Sequence, residues 1–61
     1  MTAYDAYRTA RYLAQHGLLD SDAVTTADMD AAADQAGARR PEAADDRHTV
    51  RAALDAIRST P

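Results

Sequence analysis

Four groups of residues have the types and spacing to do chemistry. The first is Tyr4, Arg8, Arg11, Tyr12 and Gln15. Tyr4/Arg8 and Arg8/Tyr12 are i,i+4 pairs, so on a helix they are neighbours on one face. Tyrosine with arginine is the mixture enriched where proteins meet: the ring supplies area that can leave water and the guanidinium supplies directed hydrogen bonds. The same face could stack on bases, or fold inward with its arginines lying on the rings.

The second group is Arg39, Arg40, Arg47 and Arg51, with Arg58 and His48 nearby. These could contact phosphates or base edges if residues 25–58 formed a helix-turn-helix. Glu42, Asp45 and Asp46 stand where such a reading helix would begin, and like charge repels phosphate. The linker is also longer than that motif's usual turn of 3 to 4 residues. A solvated arginine stripe pairing with the carboxylates of the second helix is the simpler expectation, and nucleic acid is a minor alternative.

The third is the acidic run Asp20, Asp22, Asp28, Asp30 and Asp34, which contains no basic residue. Its opening D-S-D resembles the start of a calcium loop, but a loop counted from Asp20 has Val24, Thr25 and Ala31 where oxygen ligands or glycine are needed. The run reads as a polar surface, with a basic partner as its functional alternative. The fourth is His16 and His48, the only imidazoles, without the short spacing of a zinc pair. No nucleophile elbow and no glycine-rich phosphate loop is present, and 61 residues leave little room for a deep pocket. No metal, cofactor or enzymatic activity is expected.

Composition narrows the class. There is no cysteine, so disulfides and thiolate chemistry are excluded. No run approaches a membrane span and no signal-peptide layout opens the chain, so a soluble, cytoplasmic protein without a membrane partner is expected. All seven basic residues are arginine, against ten acids, giving a net charge of -3 that argues against general attraction to nucleic acid.

The elements that position these residues are helical throughout; no stretch alternates like a strand. The best-marked stretch is Val24 to Gly37, expected to be the central helix against which both flanks fold. Thr25 is its N-cap with Asp28 at the box position, Val24 and Met29 form a staple, and Gly37 is its left-handed stop. Met29, Ala32, Ala33 and Ala36 share its inner face. Helix one runs over about 3–16, capped by Thr2 and stopped by Gly17, with Ala3, Ala6, Tyr7, Ala10, Leu13 and Ala14 turned inward. Leu18 and Leu19 follow as a buried anchor, and a short turn through Ala23 leads to Thr25.

Helix three runs over about 42–58, with Pro41 as its first residue, Asp45 and Asp46 at its positive end, and Arg58 at its negative end. Val50, Ala53, Leu54 and Ile57 form its inward stripe, and residues 59–61 fray.

The prediction is an all-α, compact three-helix bundle with short linkers, forming one domain over 1–61. Large apolar residues are few, so a homodimer or a bound protein partner would add needed burial. The function expected is a non-enzymatic adaptor or inhibitor that docks Tyr4, Arg8, Arg11, Tyr12 and Gln15 on a macromolecular partner. The alternatives are a DNA-binding regulator using Arg39, Arg40, Arg47 and Arg51, and a structural self-assembling subunit.

Overall fold

A computed structural model describes residues 1–60. It contains three helices, α1 (Ala3–Gln15), α2 (Thr26–Ala36) and α3 (Ala44–Ser59), as the periodicity predicts. The fold is an all-α three-helix bundle with helix–helix packing among all three.

Local chemistry accounts for most of the boundaries. Thr2 Oγ1 accepts from Asp5 N at 3.1 Å and opens α1. At α2 the capping box is complete: Thr25 Oγ1 accepts from Asp28 N at 3.1 Å, and Asp28 Oδ2 accepts from Thr25 N at 3.0 Å. The shorter acid therefore suffices to close the box. Both α1 and α2 stop in Schellman turns. Gly17 (φ 81°) and Gly37 (φ 68°) take the left-handed position, while Leu18 N donates to Leu13 O and Ala38 N donates to Ala33 O, each at 2.9 Å.

The start of α3 differs from expectation. Its cap is Ala43, which has no side chain to offer the first turn, and the first helical bond runs from Arg47 N to Ala43 O at 3.0 Å. Pro41 is not the first helical residue; its ring is fully buried. The carbonyls of Pro41 and Glu42 point away from a helical path and accept from the Arg47 guanidinium instead, at 3.4 and 2.9 Å. Asp45 and Asp46 still lie in the first turn and Arg58 in the last, on the favourable ends of the dipole. Ser59 remains helical, and Thr60 Oγ1 donates to Ala56 O at 2.9 Å. Of the fraying expected over 59–61, the part at Pro61 lies outside the described residues.

The core joins Ala6, Ala10 and Leu13 of α1, Val24, Met29 and Ala32 of α2 and its approach, and Val50 and Leu54 of α3. Met1, Tyr12, Ala14, Ala53 and Ile57 pack against its edge. Thr9 is also fully buried, because its hydroxyl turns back to Asp5 O at 2.9 Å and presents its methyl inward. The central helix is α1: it packs along both α2 and α3, which scarcely touch each other. The good capping of α2 fixed its limits and said nothing of its place in the bundle.

Four side chains expected inside, Ala3, Tyr7, Leu18 and Leu19, lie outside. Tyr7 is 45% exposed, Leu18 40% and Leu19 44%. Tyr7 sits at the margin of the inner stripe, between α1 and α3, and the turn at Gly17 carries the two leucines past the end of the bundle.

The direction of the helices follows from cross-contacts. The Met1 amino group lies 3.5 Å from Asp46 Oδ1, and Tyr7 shares a groove with Ala53 and Ile57, so α1 and α3 run parallel. Arg8 reaches Ala36 and Gly37, so α2 returns antiparallel to α1.

The two stop glycines should respond differently to alanine. At Gly17 a Cβ would meet nothing within 4 Å, so Gly17→Ala carries only the left-handed backbone cost of about 1–2 kcal/mol. At Gly37 it would come within 3.2 Å of Arg8 Nη2, so the guanidinium must give by a few tenths of an ångström and its hydrogen bonds weaken, adding up to about 1 kcal/mol. Urea unfolding of the two variants measures that difference.

Candidate functional site

The sequence-predicted face of α1 divides into two parts. Arg8 swings toward α2, where it donates to Gly37 O at 3.5 Å and, through Nη2, to Ala36 O. The last turn of α2 has carbonyls without helical partners, and the guanidinium fork meets two of them. Tyr4 lies beside it, with Arg8 Cζ 5.4 Å from the ring centroid. Tyr12 is half-buried against the core, and its ring stacks on His16 at 4.2 Å with 25° between the planes. Arg8 and Tyr12 thus serve the bundle, while Tyr4, Arg11 and Gln15 remain exposed. His16 places its imidazole on Tyr12, and with His48 it belongs to no cluster of metal-ligating side chains among the described residues.

The structure adds a residue that the inner-stripe assignment hid. Tyr7 stands on the exposed side with Tyr4 and Arg11, at the mouth of a groove of about 480 Å³ lined by Tyr7, Ala53, Ala56, Ile57 and Thr60. All four large hydrophobic side chains exposed among the described residues, Tyr4, Tyr7, Leu18 and Leu19, belong to α1 and the turn directly after it. Neither α2 nor α3 exposes one. The signal was available in the helical angle of Tyr7, about 100° from Ala6 and 60° from Ala10 at about 100° per residue.

The arginines of the DNA-binding alternative are largely occupied. Arg47 holds the carbonyls of Pro41 and Glu42. Arg51 donates through Nε to Ser21 O at 3.1 Å and through Nη2 to Val24 O at 2.9 Å. Beside it Ser21 Oγ, which is buried, donates to Asp55 Oδ1 at 2.7 Å, so α3 grips the α1–α2 connection at three atoms. Arg47 and Arg51 therefore bind backbone carbonyls, where pairing with α2 carboxylates was expected.

The pairing with an α2 acid comes from the linker. Arg40 donates twice to Asp34, Nε to Oδ1 at 2.9 Å and Nη2 to Oδ2 at 2.5 Å. Arg39 is exposed and enters none of these bonds. With Met1, Arg40, Glu42 and Asp46 it borders a polar cleft of about 300 Å³ that carries both signs of charge.

The acidic run is likewise used locally. Asp20 Oδ1 accepts from Asp22 N at 3.1 Å and shapes the turn, Asp28 closes the capping box, and Asp34 holds Arg40. Among the described residues no three histidine or acidic side chains converge as metal ligands. No helix among the described residues is long and apolar enough to cross a membrane.

No protein-family model, curated protein or solved structure matches this chain. Its site must be read from its own residues.

The Asp34–Arg40 pair sets a pH dependence. The hydrogen bonds from Arg40 hold the Asp34 carboxyl below its usual value, opposed by desolvation and helped by the cation's charge. A carboxyl depressed in the folded state stabilises the fold above its unfolded pKa of about 3.9, and that contribution is lost as the pH falls through the folded value. The pair is exposed, so the effect is small. Unfolding curves of the wild type and Asp34→Asn should differ at neutral pH and draw together as the pH falls through the folded Asp34 value.

Proposed function

We propose that this chain is a small non-enzymatic interaction protein that docks the outward face of α1 on a protein partner. The observation that carries the reading is the segregation of exposed apolar area. Every large hydrophobic side chain left exposed among the described residues stands on α1 or in the turn that follows it. Single exposed apolar residues are ordinary; two on one helix face beside a cation and an amide, with two more in the turn that follows, have the make-up of an interface core with a polar rim.

Tyr4 and Tyr7 are the anchors, since each offers a large rigid area with few torsions to immobilise. Arg11 and Gln15 supply hydrogen bonds at the margin. Arg8 acts behind the surface: tied to Ala36 and Gly37, it holds the C-terminal end of α2 against α1 and keeps the Tyr4 ring seated beside its guanidinium. Tyr12 supports the far end of the same helix through its stack on His16. The partner surface on this reading comprises Tyr4, Tyr7, Arg11 and Gln15, with Leu18 and Leu19 extending it.

The DNA-binding alternative draws on Arg39, Arg40, Arg47 and Arg51. To contact phosphates, three of these four would have to release Asp34 or the carbonyls that they hold. The acids at the start of α3 remain beside them. Both points favour the α1 reading.

A photo-reactive phenylalanine analogue tests the assignment in cells that carry the protein natively. Placed at Tyr4 or Tyr7 it should yield discrete protein adducts, and at the exposed Ala31 of α2 or Ala52 of α3 it should yield none above background. Adducts from α2 or α3 with none from Tyr4 or Tyr7 would show that the docking face lies elsewhere.

A further inference from the structure

The outer face of α1 carries a regular seam. Tyr4, Tyr7, Arg11 and Ala14 follow one another at spacings of three, four and three residues, the repeat by which one helix packs along another. The inner seam of the same helix is Ala6, Ala10 and Leu13, already filled by the core. A helix with apolar residues on two sides is built to be covered on both. The seam is uncovered at its first three positions, where Tyr4 is 68% and Tyr7 45% exposed and Arg11 is exposed without a hydrogen-bond partner among the described residues, while Ala14 is half-buried with one side against the core edge.

We infer that a second copy of this chain covers that seam, its α1 antiparallel to the first. The inference rests on the α1 docking reading and names the partner. The seam's own order argues for it. Two copies aligned antiparallel, with the two-fold axis level with Thr9, place Tyr4 opposite Ala14 and Tyr7 opposite Arg11, each pair occurring twice by symmetry. Large then meets small, and each guanidinium meets a ring face. A parallel alignment would set Arg11 against Arg11 and Tyr4 against Tyr4. Charge and volume therefore both select the antiparallel pairing.

The neighbouring surface fits the same occupant. Beside Tyr7, α3 presents Ala53 and Ala56, whose small side chains leave the groove of about 480 Å³ open along α1. The methylene stem of Arg11 from the second copy can lie over Ala53 and Ile57 while its head rests on Tyr7. No acid lines that groove. The molecule measures 28 × 20 × 19 Å, so one face gives an interface at or below the roughly 800 Å² per partner of standard complexes. The dimer is accordingly at the small, weak end of specific interfaces.

Sedimentation equilibrium between about 10 μM and 1 mM tests the pairing. The wild type should fit a monomer–dimer equilibrium with no larger species, because a two-fold interface closes at two. Tyr7→Arg puts arginine opposite arginine twice and should weaken association at least tenfold. The double variant Tyr7→Arg/Arg11→Tyr restores a ring opposite a guanidinium at both places, and should return to within about threefold of the wild type. Tyr4→Ala should weaken the dimer about threefold or more. All three positions are exposed, and circular dichroism should show unchanged helix content.

A wild-type chain that is monomeric at 1 mM overturns the inference, as does a dimer indifferent to Tyr7→Arg or a double variant as weak as the single one. Photo-crosslinks from Tyr4 and Tyr7 to a different protein, with no self-association, would leave α1 docking standing and remove only the second copy.

Discussion

Arginine forks on backbone carbonyls hold this molecule in shape. Both connections between helices and the C-terminal end of α2 present carbonyls that no helix satisfies, and each is met from a neighbouring helix. Arg8 of α1 meets Ala36 and Gly37, Arg47 of α3 meets Pro41 and Glu42, and Arg51 of α3 meets Ser21 and Val24. A carbonyl left without a donor in a partly buried site costs roughly 1–3 kcal/mol, a large share of what so small a domain can hold. Among the described residues the fully buried large apolar side chains are Leu13, Met29, Leu54 and Val50, together with the Pro41 ring. Polar clamps therefore do part of the positioning that a larger core does elsewhere.

Function follows from where those clamps draw charge. Arg8, Arg40, Arg47 and Arg51 turn inward or along the surface to partners within the chain, which occupies the hydrogen-bond donors of one of the two linker arginines and two of the three in α3. Asp28, Asp34 and Asp55 are spent on a cap, an ion pair and the Ser21 hydroxyl. The outward side of α1 then remains as the one helix face with exposed aromatic area and a cation free of hydrogen bonds among the described residues. The proposed docking face is what local satisfaction of the other polar groups leaves over.

Much of this was legible in the sequence because it is local. Thr25 with Asp28, the glycines at 17 and 37, and the inward spacing of Ala6, Ala10, Leu13, Val50 and Leu54 act within a turn or two, so their spacing states their role. What was not legible depends on neighbours distant in sequence. Arg51 finds its acceptors 27 and 30 residues away, and no periodicity encodes a carbonyl as a partner. Pro41 was placed at the head of α3 by a general preference, yet burial of its ring and the hold of Arg47 on its carbonyl delay the helix to Ala44. Leu18 and Leu19 looked like core by hydrophobicity alone; the Schellman turn at Gly17 directs them outward. Tyr7 lay at the edge of the inner stripe, where only the position of α3 decides which way it faces.

The measurement closest to the central claim is a ¹⁵N spectrum of the arginine side chains with hydrogen exchange followed at each Nε–H. If guanidinium–carbonyl clamps position the helices, Arg51 Nε–H, bonded to Ser21 O, and Arg40 Nε–H, bonded to Asp34, should exchange more slowly than those of Arg11, Arg39 and Arg58. The slowest should be Arg51, whose bond is part-buried. Seven Nε–H groups exchanging at one common rate would contradict the account, and would assign the positioning of the helices to the apolar core alone.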